Sequence, residues 1–441
     1  LARADEPSAL LSQRFQNQTA LMTGLIATAS AGFHEKPVIL TIFAATYLGI
    51  AVGRVPGLKL NRVGIALLGA IAMMIFCNAT TADVISYVNW PTIFLLFGFF
   101  VISAQLRLSG FYDRVAGGIS ARLGNPALFL LILMLVTGGL SAFLNHDIVC
   151  YVFAPIAGAA LLRRQINPVP FLIALAISSN IGAAATLIGN PQNMMIGQFA
   201  HLDFGRYILW TFVPVIFAMA AAYGIIWMLS RKRLQLALPA PNESSQTTYP
   251  FNRPHTVKGI VILAVVVGSF FTSLPKEVIA LAAAGIHLAS TKFRTDDLLK
   301  LVDWPILVFF MGLFVVTGVF ESTGCGDQAM HWLAQGGFDL NAPVNLALAT
   351  AALSNLISNS PAVLLLLKVA DVSQPDPAYI LALANSFGGS LIILGSVSNI
   401  IVVQQARAMG VKISFRDFAR LGVPVTLAAL AGLLAWIAIV T

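Results

Sequence analysis

Ser178–Asn193 reads SSNIGAAATLIGNPQN, a polar, glycine-rich stretch set inside an apolar segment, and a related stretch, NSFGGSLIILGSVSN, occupies Asn385–Asn399 near the C-terminus. Glycine lets the backbone leave a helix, and Pro191 prevents its immediate resumption. Hydrocarbon cannot satisfy the freed N–H and C=O groups. Such a break therefore persists inside a membrane only where protein or a water-filled cavity satisfies them. Two breaks at matching places in two halves point to the binding site of a transporter.

The surrounding composition supports a membrane setting. The chain of 441 residues is 58% hydrophobic and 10% charged, with a mean hydropathy of +0.85, whereas soluble domains carry roughly 25% charged residues. Apolar segments of roughly 17–25 residues indicate helices rather than short alternating barrel strands. The expected fold is an all-α polytopic membrane protein with about ten transmembrane helices and two re-entrant hairpins in two inverted repeats. The spans fall near 37–54, 62–79, 92–108, 169–200, 207–230, 258–274, 277–290, 305–321, 378–404 and 421–441. The segments 126–162 and 342–368 carry polar clusters at their middle and read as the hairpins. Residues 18–33 are moderately apolar, so the N-terminal segment 1–36 is expected to hold an interfacial helix or an extra span.

Cations orient this layout. Arg54, Lys59 and Arg62, then Arg107, Arg114 and Arg122, then Arg163 and Arg164, then Arg231, Lys232 and Arg233 fall on one side if 126–162 doubles back. Lys292, Arg294, Lys300, Arg407, Lys412, Arg416 and Arg420 join them if 342–368 does likewise, leaving mainly Arg206, Lys276 and Lys368 opposite. The positive-inside rule makes the crowded side cytoplasmic. The net charge of +8 is thus spread over short loops and does not suggest nucleic-acid binding.

The halves are related. Asn89-Trp90-Pro91 matches Asp303-Trp304-Pro305, and Gly98 and Gly110 match Gly312 and Gly324, all at an offset of 214 (305 − 91). Leu140-Ser141 matches Leu353-Ser354, Gly189 and Asn193 match Gly395 and Asn399, and Val213-Pro214-Val215 matches Val423-Pro424-Val425. Trp90 starts its span outside and Trp304 inside, so the repeats 37–230 and 258–441 are expected to be inverted. The proline-bearing polar stretch 231–257 is expected to link them in the cytoplasm.

Four elements carry the candidate chemistry. At the first hairpin tip, Asn145, His146 and Asp147 lie together, and Asp147 is the one carboxylate expected deep in the membrane. An intramembrane ionisable group suggests function. Burial penalises its charged form, which suits a proton carrier. A bound cation or His146 would instead keep it charged as an ion ligand. The structural alternative is a hairpin cap in which Asp147 accepts backbone N–H bonds. His146 is a candidate to share the proton. The second tip, with Ser358 and Asn359, offers amides and hydroxyls that both donate and accept, and Pro361 suits the first turn of the returning helix. Asn180, Thr186, Asn190 and Asn193 in the first break and Ser396 and Asn399 in the second complete the candidate substrate-binding set. Glycines in membrane helices often serve close packing alone. Here the clustered amides and the repetition favour a site. Cys77, Cys150 and Cys325 have no metal-ligand spacing, and Cys150 reads as a small buried hydrophobe. No phosphate-binding G-x-x-x-x-G-K-[ST] loop occurs, so the chain is not expected to hydrolyse ATP; neither cofactor nor enzymatic activity is expected.

The motifs Leu144-Asn145-His146-Asp147, Ser179-Asn180-Ile181-Gly182, Ile188 to Asn193, Ser358-Asn359-Ser360-Pro361 and Gly395 to Asn399 resemble the ion-transporter superfamily over about residue 37 to the end. The similarity is greatest to its arsenite-permease branch, which includes plant silicon exporters; divalent-anion:sodium symporters are more distant relatives. The resemblance implies a multi-pass transporter of the inner (plasma) membrane, with substrate and coupling ions held between tips and breaks. It implies proton-coupled efflux of arsenite, antimonite or another small oxyanion. The alternatives are a sodium-coupled anion or dicarboxylate symporter, a sodium/proton antiporter, or the channel subunit of a pump with a separate ATPase. The tips lack the Ser-Asn-Thr pattern of the sodium symporters, which favours protons. Relatives in the superfamily are often homodimers.

Overall fold

The computed structural model describes residues 35–53, 59–77, 80–120, 124–233, 249–289, 292–324, 335 and 339–440. The expected helix at 18–33, most of the linker and Cys325 lie outside them. The described residues form helices joined by turns. In the first half these are α1 (Glu35–Val52), α2 (Arg62–Phe76), α3 (Thr81–Tyr87), α4 (Trp90–Leu108), α5 (Phe111–Ser120), α6 (Pro126–Phe143), α7 (His146–Arg163), α8 (Val169–Ala183), α9 (Pro191–Phe199) and α10 (Phe204–Ser230). The second half forms α11 (Arg253–Ser269), α12 (Lys276–Leu288), α13 (Thr295–Leu299), α14 (Trp304–Glu321), α15 (Pro343–Ile357), α16 (Asn359–Val369), α17 (Pro375–Gly388), α18 (Val397–Ala408) and α19 (Phe415–Val440). The chain is an all-α polytopic membrane protein: α4, α6, α7, α10, α14 and α19 are each long and apolar enough to cross a membrane.

The repeated Trp-Pro motifs prove to be helix starts. Asn89 Oδ1 accepts from the Thr92 amide at 2.9 Å and Asp303 Oδ1 from the Ile306 amide at 3.2 Å. Each side chain satisfies a first-turn N–H that has no partner in the helix, and the proline removes another such donor.

Both expected hairpins are tight. Only Leu144 and Asn145 separate α6 from α7, and Ser358 alone separates α15 from α16. At 1.5 Å per residue the arms α15 and α16 are about 22 and 17 Å long, too short for the ~30 Å hydrocarbon core. The arms α6 and α7 reach about 27 Å each, close to a full span. A tight turn returns the chain to its starting side whether its tip stops midway or reaches across. The cation pattern therefore tests the return of the first hairpin and not its depth.

Contacts divide the chain into two compact units, residues 1–88 with 311–326, and residues 89–310 with 327–441. In the first, a Cβ on Gly312 of α14 would stand 3.1 Å from the Ala66 carbonyl carbon of α2, and Phe43 stacks on Phe320 with centroids 4.0 Å apart. In the second, a Cβ on Gly98 of α4 would stand 2.7 Å from the Ala280 carbonyl carbon of α12. These two contacts are one contact made twice, since 312 − 98 and 280 − 66 are both 214. Each pairs a helix of one half of the sequence with a helix of the other.

The second unit holds both hairpins and both breaks. Gly182 of α8 lies against the Gly138 backbone of α6, and Gly388 of α17 against Ala351 of α15, where an added Cβ would be 2.8 Å from the Ala351 Cα. In each half, then, the first hairpin arm packs backbone to backbone on the helix that leads into the break. The long helices α10 and α19, which carry the matched Val-Pro-Val triplets, pack on one another.

A methyl group on Gly182 collides with the Gly138 carbonyl, and backbone cannot swing aside as a side chain would. Gly182→Ala is expected to cost about 1–3 kcal/mol, read as a lower unfolding temperature of the detergent-purified protein. Gly139→Ala, with nothing within 4 Å of the added carbon, is expected to leave it unchanged.

Candidate functional site

The first tip is capped by Asn145, whose Oδ1 accepts from the Asp147 amide at 2.8 Å. The sequence alternative gave this role to the Asp147 carboxylate. The structure gives it to the preceding amide and leaves the carboxylate available. Asp147 Oδ1 is 3.5 Å from His146 Nε2, longer than a well-formed hydrogen bond. It has no hydrogen-bond partner among the described residues, nor has His146 Nδ1. Both side chains belong to buried residues, 8% and 5% exposed.

The first break begins where α8 tightens, with Ala185 N donating to Gly182 O at 3.0 Å. Thr186 Oγ1 donates to the Ala142 carbonyl of the hairpin and accepts from the Ile188 amide at 3.2 Å. Asn190 caps α9, its Oδ1 accepting from the Asn193 amide at 2.7 Å. Asn193 Nδ2 then donates back to two carbonyls freed by the break, Ala183 O and Thr186 O, both at 3.0 Å. In the second break Asn399 Nδ2 donates to Gly389 O at 2.7 Å and Ile392 O at 3.0 Å. All three groups correspond at one offset: 399 − 193, 389 − 183 and 392 − 186 are each 206. One amide on the resuming helix thus closes each break in the same way.

The breaks are also bonded to each other. Asn180 Nδ2 donates to Asn399 Oδ1 at 2.9 Å, and Ser398 Oγ donates to Asn180 Oδ1 at 3.0 Å. Ser396 and Ser398 share a hydrogen bond of 2.7 Å. In the reciprocal direction Asn190 Nδ2 donates to Ser386 Oγ at 3.2 Å, and Gln192 Nε2 to Ser360 Oγ of the second tip at 2.7 Å. Ser354 Oγ joins that tip's arm to Asn385 Oδ1 at 2.9 Å, and Asn355 Nδ2 bonds Gly388 O at 2.9 Å. Ser358 sits at φ 79°, ψ 156°, a conformation that costs a side-chain-bearing residue about 1–3 kcal/mol and recurs at functional sites. Asn359 is buried beside Gly389, where an added Cβ would lie 3.1 Å from its Nδ2.

Asn180, Ser396 and Asn399 therefore meet in one network, Asn190 pairs separately with Ser386, Thr186 ties the first break to the first hairpin, and Asn193 closes that break. Ser358 and Asn359 form the second tip, and no hydrogen bond links His146 or Asp147 to that network among the described residues. Tyr207 gives no motif in the sequence, yet its hydroxyl donates to Ala184 O at 2.8 Å and lies 3.2 Å from Asn193 Nδ2. Neither tip nor break (141–150, 178–193, 354–361, 385–399) contains a lysine or arginine, and Asp147 is the sole carboxylate in them. No cluster suited to a metal ion occurs among the described residues.

Interrupted helices meeting hairpin tips inside a polytopic helical protein define a membrane transporter, not an enzyme. The chain belongs to the citrate transporter family, whose profile matches residues 38–384. A "46 kDa membrane protein" of Mycobacterium leprae is 30% identical over 91% of this chain and 98% of its own length. A silicon efflux transporter of Oryza sativa subsp. japonica is 25% identical over 80% of this chain and 87% of its own length. The fold is similar to that of the Alcanivorax borkumensis YdaH transporter, with a TM-score of 0.56 at 14% identity, covering 92% of this chain and 98% of that one.

Direct bonding between Asn180 and Asn399 has a measurable consequence. A cycle of Asn180→Ala, Asn399→Ala and the double variant is expected to give a coupling of about 0.5–3 kcal/mol in unfolding stability, as for residues sharing one network. Strict additivity would show that the bond is not formed.

Proposed function

We propose that this chain is a secondary transporter that expels a small, uncharged metalloid hydroxide, arsenite or antimonite first, in exchange for protons. The observation that carries this reading is the chemistry of the tips and breaks: amides, hydroxyls and backbone carbonyls, with Asp147 their sole carboxylate and no lysine or arginine. Arsenous and antimonous acids are undissociated hydroxides near neutral pH. They present O–H donors and oxygen acceptors that match groups able to do both. A tricarboxylate would need positive partners to repay its desolvation, and the tips and breaks contain no lysine or arginine. The similarity to a silicon efflux transporter, whose named cargo is also a metalloid, supports the same reading.

In this reading Asp147 carries the proton and His146 assists it. Asn145, Asn180, Thr186, Asn190, Asn193, Ser358, Asn359, Ser396 and Asn399 bind or frame the solute. Alternation would use the two inverted repeats, 37–230 and 258–441, joined by the linker 231–257. The network between Asn180 and Asn399, and that between Asn190 and Ser386, would open to admit the solute, exchanging protein partners for hydroxyls of the cargo. Asn193 and Asn399 Nδ2 would keep each break formed meanwhile.

The second reading is carboxylate transport, favoured by the description of the matching family. Reconstituted vesicles separate the two. An imposed pH gradient without sodium is expected to drive antimonite movement, and excess citrate is expected not to compete. Asp147→Asn is expected to abolish the pH-driven component with the unfolding temperature preserved. Undiminished coupling in that variant, strict sodium dependence, or competition by citrate overturns the proposal. Cells expressing the chain are expected to gain resistance to arsenite or antimonite and not to sodium or lithium.

A further inference from the structure

A cavity of about 50 Å³ lies between the start of α8, the end of α10 and the start of α19, and no residue of a tip or break lines it. By the same measure one water needs only ~10–15 Å³, so there is room for a larger polar group. Asn167, Ser230, Asp417 and Arg420 line it together with Ile173 and Leu421. Ser230 is 4% exposed. The Asp417 carboxylate is already engaged: its Oδ2 accepts from the Ser414 amide at 3.1 Å and the Ser414 hydroxyl at 2.5 Å, capping α19. Arg420 forms no ion pair among the described residues. Arg231 and Lys232 follow the end of α10, Arg416 lies in the first turn of α19, and Arg163 and Arg164 end α7, all on the side that the cation distribution makes cytoplasmic.

We propose that this cavity binds a phosphate-bearing anion, with the Arg420 guanidinium as its principal partner and the Ser230 hydroxyl as a second donor. Basic pockets between membrane helices on the cytoplasmic side suit anionic lipid headgroups. The apolar flank formed by Ile173 and Leu421 suits the start of the acyl chains of such a lipid. Free phosphate supplies the same chemistry without that apolar part.

The site is linked to the transport centre through α19. Two residues beyond Arg420, a Cβ on Gly422 would stand 2.5 Å from Ser390 O and 2.7 Å from Leu391 O. The first turns of α19 therefore lean directly on the backbone of the second break. An anion held at Arg420 fixes those turns and, through them, the break. Occupancy should raise stability and set how readily the second break rearranges. This proposal stands independently of what the transporter carries.

The test uses the purified full-length chain in detergent, reading the unfolding temperature and the lipid retained in native mass spectrometry. Phosphatidylglycerol is expected to raise the unfolding temperature and phosphatidylcholine is not. Arg420→Gln is expected to weaken phosphatidylglycerol binding about fivefold, the share of one basic residue near an anionic group, and to abolish most of the thermal shift. Arg416→Gln, an exposed neighbour outside the cavity, is expected to keep both. If inorganic phosphate alone reproduces the Arg420-dependent shift, the anion is free phosphate; if only the lipid does, it is the headgroup. Equal binding by Arg420→Gln and the unmodified chain overturns the proposal. So does an equal loss in Arg416→Gln, which would reduce the effect to general surface charge, or an equal shift from phosphatidylcholine.

Discussion

The structure depends on how the backbone groups released at two helix breaks are satisfied. An unpaired peptide group away from water costs several kcal/mol in hydrocarbon, and each break releases several. Asn193 and Asn399 meet this need in the same way, with one side-chain amide reaching back across the turn to two freed carbonyls. Asparagine suits the task because one NH2 supplies two donors in a plane while its oxygen stays free to accept. That oxygen is used differently in the two halves. Asn399 Oδ1 accepts from Asn180, whereas Asn193 Oδ1 has no partner among the described residues.

Close approach of backbones is the second constraint, and it explains the glycine content better than flexibility does. Gly182 against Gly138 and Gly388 against Ala351 draw each hairpin arm onto the helix entering its break. Gly98 against Ala280 and Gly312 against Ala66 do the same for helices taken from opposite halves of the sequence. A repeat that merely folded on itself would pair Gly98 with Ala66. The observed exchange means that each of these contacts joins a helix of one half of the sequence to a helix of the other, once in each compact unit.

Much of this was legible in the sequence because polar and glycine residues stand out against an apolar background. Both breaks, both tips and the matched Trp-Pro helix starts were visible for that reason. What was not legible depends on distance along the chain. Nothing near Tyr207 signals that its hydroxyl supports Ala184 O, and no local pattern pairs Asn180 with Asn399, 219 residues away. The short helices α3, α5 and α13 escaped a reading tuned to spans. The depth of the first hairpin escaped as well, because charge in loops reports the side to which the chain returns and not how far it travelled.

The likeness of the two breaks makes the difference between the two tips informative. The first tip keeps a buried carboxylate beside an imidazole, with Asn145 taking over the capping bond that would otherwise occupy it. The second tip has no ionisable group between Ser354 and Pro361 and instead holds Ser358 in a strained conformation. A symmetric scaffold with one titratable tip separates two tasks. In the proposed exchange the backbone framework would bind the neutral solute from either half, while charge would change at the first tip. In hydrocarbon that is economical, since each additional ionisable group would need its own partner to offset desolvation. In that proposed cycle a single carboxylate would suffice to make the empty and loaded states differ by one charge. That difference would give a proton gradient, under the proposed exchange, its handle on which way the site opens.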